Sequence, residues 1–397
     1  MVFFLALRYI WAYNLKLEQK NKGDHRMNTK LIAWVKKNAV VCIAAVAALI
    51  TSCIIPPDEA YLGYFDFKTL TCLFCTLAVV TALRNIRFFT LLAQKIVFVF
   101  QSTRKALLAL LAITFIGSML IANDMALLTF LPLGYFVLVS TGNRQYLAFT
   151  FIMQNIAANL GGMLTPFGNP QNLYLYSYFN IPTGEFVSIM LPPFLLSITL
   201  IGLSVFLLPD QPLKLNDPED IKLPPIRTAI YLVLFALSIA IVFRFIPYQI
   251  GLAVVPVFLL FMDRKALQQV DYGLLFTFVF FFIFSGNLSR VDVVRNLLEP
   301  LLNTNTLLFS SLSCQFISNV PSAVLLSQFT QNYPALLVGV NIGGAGTLIA
   351  SLASLITFKE FCRTQPDRKK QYIRLFSIFN FAFLGILLIF EHIILGI

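Results

Sequence analysis

Apolar residues gather into nine blocks of spanning length, near 38–55, 67–83, 146–178, 186–208, 228–244, 247–262, 271–286, 335–358 and 375–396. A helix that crosses a bilayer needs about 20 predominantly apolar residues, so these blocks predict crossings. Two more apolar segments, 106–140 and 307–332, are each cut midway by a polar cluster. The first carries Ala122-Asn123-Asp124 and the second Ser318-Asn319-Val320-Pro321. A half-span, a polar tip and a returning half-span predict a re-entrant hairpin, which membrane depth tolerates only inside protein or along a wet cavity. The competing reading is a pair of ordinary helices joined by a surface loop. Either way the fold class is an all-α polytopic membrane protein.

The second half of the chain repeats the first. Asn159-Leu-Gly-Gly-Met-Leu-Thr165 matches Asn341-Ile-Gly-Gly-Ala-Gly-Thr347, and Leu173 then matches Leu355. Five of the 15 aligned positions are identical, where roughly one is expected from ordinary residue usage. Upstream, Ile121-Ala-Asn123 faces Ile317-Ser-Asn319, and Asp66 faces Asp271, in the same order. This pattern divides the chain into an N-terminal extension (1–37), a first membrane repeat (38–208), a linker with a connecting helix (209–246) and a second repeat (247–397). The odd connecting helix, 228–244, inverts the second repeat relative to the first. Inverted repeats with interrupted helices near the midplane are the architecture of secondary transporters.

Composition agrees with the pattern: 58% of the 397 residues are apolar and 12% charged, with a mean hydropathy of +0.81. The net charge of +11 first suggests a nucleic-acid partner. Its placement removes that suggestion. With the N-terminus cytoplasmic and the C-terminus outside, 25 of the 29 Lys and Arg residues fall on inner segments, leaving Lys68, Arg244, Arg290 and Arg295 outside. That is positive-inside bias in a plasma (inner) membrane protein. Asn-Thr-Lys after Met27 makes this Met a second candidate start. His25 and His392 lie near opposite ends, and Cys72-x-x-Cys75 sits in an apolar run without a second pair, so neither a resident metal site nor a disulfide framework is expected. No G-x-S-x-G, H-E-x-x-H or Walker loop occurs, which leaves an enzyme, and an intrinsic ATPase, without support; no cofactor is expected.

The candidate chemistry lies where the helices should break. In the segment from Asn155 to Asn172, Pro166 and Pro170 each remove an amide donor, and Gly161, Gly162 and Gly168 loosen the backbone. The freed carbonyls suit a cation, and the N-terminus of the resumed half-helix suits an anion. Asn169 and Asn172 add polar side chains that a plain packing kink does not need. In the partner break, Gly343, Gly344 and Thr347 recur without the prolines, and Ser351 stands where Asn169 stood. The bland alternative there is close helix packing through small residues.

Thr165-Pro-Phe-Gly168-Asn169-Pro170-Gln-Asn172, with Asn123-Asp124 before it and Ser318-Asn319-Val-Pro321-Ser322 after it, resembles the ion transporter superfamily. The likeness is to its citrate-transporter-like and arsenite-permease-like anion permeases, relatives of the dicarboxylate:sodium symporters, and it covers nearly the whole chain from about residue 30. The resemblance implies that both tips and both breaks bind substrate and coupling cation, with Asn123 and Asn319 as tip asparagines. A Na⁺ ion would visit Asn123 and Asn319 transiently. The first tip reads Asn-Asp where the dicarboxylate relatives carry Ser-Asn-Thr, which weakens an assignment to sodium–dicarboxylate symport.

The reading is therefore a secondary transporter of a small anion, a carboxylate such as citrate or an oxyanion, coupled to Na⁺ or H⁺. The alternatives are a Na⁺/H⁺ antiporter of the same fold with Asp124 exchanged, an arsenite or antimonite efflux permease, and a transport-inactive scaffold. No basic side chain lies in the predicted core, so amides, hydroxyls and half-helix dipoles must hold the anion. Asp124 is the ionisable residue expected near the midplane, where a charge costs roughly 2.5–3.5 kcal/mol and usually marks an ion path. Its competing role is to cap the half-helix from Met125. The expected partners are the anion, the coupling ion and the bilayer, and a homodimer is compatible with the sequence.

Overall fold

The computed structural model describes residues 39–97, 102–140, 142–210 and 221–396. The N-terminal extension, Met27 and most of the Pro-rich linker lie outside the described residues. Within them the chain is helical, with no β-strand. Seven helices are long and apolar enough to cross a membrane.

The first half opens with α1 (Ala39–Ile54) and a 3₁₀ turn, Glu59–Tyr64. Next come α2 (Phe67–Asn85) and the short α3 (Phe88–Val97), then α4 (Thr103–Ile121) and α5 (Asn123–Ser140), separated by one residue. α6 (Leu147–Gly161) and α7 (Pro170–Tyr178) flank a break, and α8 (Thr183–Val205) closes the half. α9 (Pro225–Val242) links it to the second half. There α10 (Tyr248–Met262), α11 (Arg264–Gln268) and α12 (Tyr272–Ser289) precede α13 (Asp292–Ile317). α13 kinks at Asn305, where the backbone turns extended and the Asn305 carboxamide accepts the Leu308 N–H (2.8 Å), so the helix restarts on its own cap. α14 (Asn319–Leu326), α15 (Tyr333–Ile342), α16 (Leu352–Thr364) and α17 (Lys369–Ile394) complete the chain.

The predicted spans 146–178 and 335–358 are thus broken helices, α6/α7 and α15/α16. The predicted blocks 38–55 and 247–262 form helices of 16 and 15 residues, shorter than a full crossing. The first hairpin departs from the half-span expectation: its arms are 19 and 18 residues long, and α4 alone has spanning length. Its tip is nevertheless buried, with Asn123 only 3% exposed, so a surface loop does not describe it. The tip of the second hairpin is equally buried at Asn319.

Every residue of α6 is buried, which puts the first break at the centre of the molecule. Apolar side chains cover the outside instead: Ile43 of α1 and Phe261 of α10 are 67% and 80% exposed. That arrangement suits lipid as solvent, where apolar groups outside cost nothing. Among the polar ties that join helix ends in the described residues, four bear on sidedness. Arg290 pairs with Asp58 (2.6 Å), Arg104 donates to the Leu208 carbonyl (2.8 Å), Asn85 donates to Asp263 (3.5 Å) and Tyr333 donates to Glu185 (2.5 Å). Each joins two segments that the basic-residue count assigns to one side.

Candidate functional site

The two polar tips share one backbone solution. Ala122 and Ser318 both take positive φ, +64° and +74°, a conformation in which a side chain is uncommon outside Gly and Asn. In each case the next residue is the asparagine. The Asn123 N–H donates to the Gly168 carbonyl (3.2 Å) and the Asn319 N–H to the Ala350 carbonyl (2.9 Å), at aligned positions of the two breaks. Each asparagine Oδ1 then accepts the following N–H, that of Asp124 or Val320, at 2.9 Å. Asn123, not Asp124, therefore satisfies the first turn of α5.

A second pair of bonds fastens each hairpin arm to its break. Thr165 Oγ1 donates to the Met119 carbonyl (2.7 Å), and Thr347 Oγ1 donates to the Gln315 carbonyl (3.0 Å). The glycines of the repeat make room for this. A Cβ on Gly161 would meet the Phe115 carbonyl and Ser118, and one on Gly343 would come within 2.9 Å of Ser311 and Cys314, the aligned neighbours. These glycines are close-approach positions rather than ligand positions.

Between tips and breaks runs a buried amide network. Asn159 Oδ1 accepts from Asn123 Nδ2 (3.1 Å) and Ser351 Oγ (2.7 Å), while Asn159 Nδ2 donates to Asn155 Oδ1 (3.3 Å). Asn155 Nδ2 reaches Ser354 Oγ (3.2 Å). Asn341 mirrors Asn159 in the repeat and joins the halves: its Oδ1 accepts from Asn169 Nδ2 (3.1 Å) and Gln171 Nε2 (3.2 Å), and its Nδ2 donates to Asn172 Oδ1 (2.6 Å). Asn172 Nδ2 turns to the carbonyls of Gly162, Met163 and Thr165, all at 3.1–3.2 Å, which the end of α6 leaves without helical partners. Gln315 does the same for the second break, donating to the Gly343 carbonyl (2.8 Å) and accepting the Thr347 N–H (2.8 Å). Different side chains thus serve the Pro-containing and Gly-containing breaks.

Of the residues singled out in the sequence, Asn123, Gly168, Asn169, Asn172, Thr165 and Ser351 are drawn together in the first tip and breaks, and Asn319, Ser318 and Thr347 in the second. Gly344 adjoins both Asn319 Nδ2 and Asn159 Oδ1. Pro170 occupies the first turn of α7, where its missing N–H costs nothing. Pro321 lies in the first turn of α14, and Ser322 Oγ bonds Ser313 Oγ (2.9 Å), back toward its own hairpin arm. Asn155, Asn159, Gln171, Gln315 and Asn341 complete the network. Asn159 and Asn341 open the repeated motif, so the alignment itself was their signal; Gln315 faces Met119 in the repeat and had none. The structure adds Arg84, whose Nη1 is 3.9 Å from Met125 Sδ, beside the first tip.

Four helix N-termini meet here, those of α5, α7, α14 and α16, together with the C-termini of α4, α6, α13 and α15. The first set offers positive dipole ends to an anion and the second offers carbonyls to a cation. Buried oxygens without a hydrogen-bond partner include Asp124 Oδ1, Asn169 Oδ1 and Gln171 Oε1. An unpartnered buried acceptor is costly, and a bound cation or proton relieves the cost. No group of three or more His, Cys, Asp or Glu able to hold a metal occurs among the described residues.

Comparison with known proteins places these features in context. The family described as "Citrate transporter" matches residues 30–335. The uncharacterized transporter MJ0456 of Methanocaldococcus jannaschii is 33% identical over 311 residues, 77% of this chain and 84% of the relative. Inner membrane protein YbiR of Escherichia coli is 28% identical over 284 residues, 68% of this chain and 74% of the relative. The silicon efflux transporter LSI3 of rice, Oryza sativa, is 31% identical over 143 residues, 36% of this chain and 29% of the relative.

Proposed function

Because the chain belongs to the citrate transporter family, we propose that it is a secondary active transporter of a small anion, a carboxylate such as citrate or an oxyanion, driven by Na⁺ or H⁺. The observation that carries this reading is the doubled tip. Two positive-φ turns, each followed by an asparagine whose N–H bonds the break of its own half, bring four helix N-termini to one place. The anion sits against those N-termini and the hydroxyls of the breaks. The coupling cation takes break carbonyls and Asp124, whose Oδ1 lacks a partner. Its positive charge offsets Asp124 and part of the anion, so the loaded site is nearly neutral and cheaper to move.

The matched order of helices, α1 with α10, α2 with α12, α6/α7 with α15/α16 and α8 with α17, supports two membrane repeats, 38–208 and 247–397, inverted by α9. The N-caps agree: Asp66 accepts from Thr69 N–H (2.9 Å) and Asp271 from Leu274 N–H (3.0 Å). The four polar ties support the nine crossings, since each joins segments assigned to one side. With the basic bias, the N-terminus is cytoplasmic and the C-terminus external. Transport then proceeds by the tips and breaks moving together against the remaining helices. The test is uptake into proteoliposomes from a panel of carboxylates and oxyanions under imposed Na⁺ or pH gradients. At least one anion should accumulate with one gradient. Gradient-driven Na⁺/H⁺ exchange with no anion uptake would favour the antiporter reading instead.

A further inference from the structure

Three helix ends meet beside the first break: the start of α2, the end of α7 and the end of α9. Arg244 follows the C-cap of α9 with φ at +66°, a position that glycine or asparagine ordinarily fills. Its side chain is put to use. Nη2 donates to the Tyr176 carbonyl (2.7 Å), the guanidinium lies 4.2 Å from the centre of the Tyr176 ring, and Nε is buried with no partner. The preceding Phe243 packs edge-on against Phe167 of the break loop, centroids 5.7 Å apart. The end of α9 thus touches the last turn of the short α7 and the break loop that leads into it. Tyr176 is about 9 Å along α7 from Pro170 at the central site.

Lys68, in the first turn of α2, is half-buried and within electrostatic range of Arg244. The neighbouring carboxylate, Asp66, is turned to the Thr69 N–H (2.9 Å) and hydroxyl (2.6 Å). The other two basic residues assigned to the outer side are neutralised, Arg290 by Asp58 and Arg295 by Glu299. Two half-buried cations within electrostatic range of each other repel, and the unpartnered Arg244 Nε adds a donor aimed at nothing. A multivalent oxyanion removes both costs at once.

We propose that Lys68 and Arg244 form an outer anion-binding site, one short helix from the central site, which takes carboxylate or oxyanion groups on their way to or from it. The site deepens the proposed anion transport, but its binding can be read without transport. Protein in nanodiscs is treated with an amine-acylating reagent, and modification of Lys68 is followed by mass spectrometry in citrate, phosphate or sulfate against chloride at equal ionic strength. At least one of the three should slow Lys68 modification several-fold, and Arg244→Gln should abolish the protection while Lys265 reacts equally in every buffer. Equal Lys68 reactivity in all four salts overturns the site, as does protection that survives Arg244→Gln. Protection of Lys68 in a protein that takes up no anion leaves the site standing and removes the transport reading.

Discussion

Asp124 carries the most consequential charge at the scale of single residues. Its Oδ1 is buried without a partner, and the capping bond to its own N–H comes from Asn123. Asp124→Asn should therefore fold and reach the membrane yet lose dependence on the coupling cation, read as uptake with and without the imposed gradient. Wild-type cation dependence in that variant would move coupling to the break carbonyls. Asn172 is expected to matter differently. Asn172→Ala strips the side-chain donor from three buried carbonyls and should lower stability by roughly 1–3 kcal/mol, measured by thermal unfolding in detergent. Asparagines at the tips and in the Pro-containing break were legible because polar residues in apolar runs need a reason. The roles of Asn159 and Asn341 were not. Identity in a repeat marks a shared position, and only packing reveals that the carboxamides of the two halves reach one another.

Among the elements, spacing of apolar blocks located nearly every helix, and Pro and Gly located both breaks. Arm length escaped it. The first hairpin has arms of 19 and 18 residues, because hydropathy counts apolar residues without reporting where a helix ends against other protein. The glycines at the breaks make a testable contrast. Gly161→Ala and Gly343→Ala must push a hairpin arm away and should destabilise by roughly 1–3 kcal/mol. Gly184→Ala and Gly385→Ala, with nothing within 4 Å of the added carbon, should melt like wild type. The tie between the 3₁₀ turn after α1 and the end of α12 makes a pH prediction. Hydrogen bonding from Arg290 holds the Asp58 carboxyl below the usual carboxylate range. A carboxylate shifted down contributes stability above its unfolded value, near 3.9, and loses it as pH falls through the folded value. Asp58→Asn should thus melt earlier than wild type at neutral pH, and the difference should vanish in acid.

For the whole molecule, the proposed sidedness rests on a charge count and four ties rather than on any single residue. Cysteines placed at Asn180 and Asp367, both exposed, should label from outside and inside respectively in a background without native cysteines. Labelling of both from one side would contradict nine crossings. The doubled tip makes a stronger demand, because each hairpin contributes one asparagine to the proposed shared site. The most direct measurement is gradient-driven anion uptake by proteoliposomes carrying wild type, Asn123→Ala or Asn319→Ala, each checked for folding by size-exclusion profile and melting. Wild type should accumulate the anion, and each variant should lose uptake at least tenfold, about 1.4 kcal/mol of lost stabilisation of the transport step, while remaining folded. Two folded variants that transport at the wild-type rate would contradict a transport site built from the paired tips.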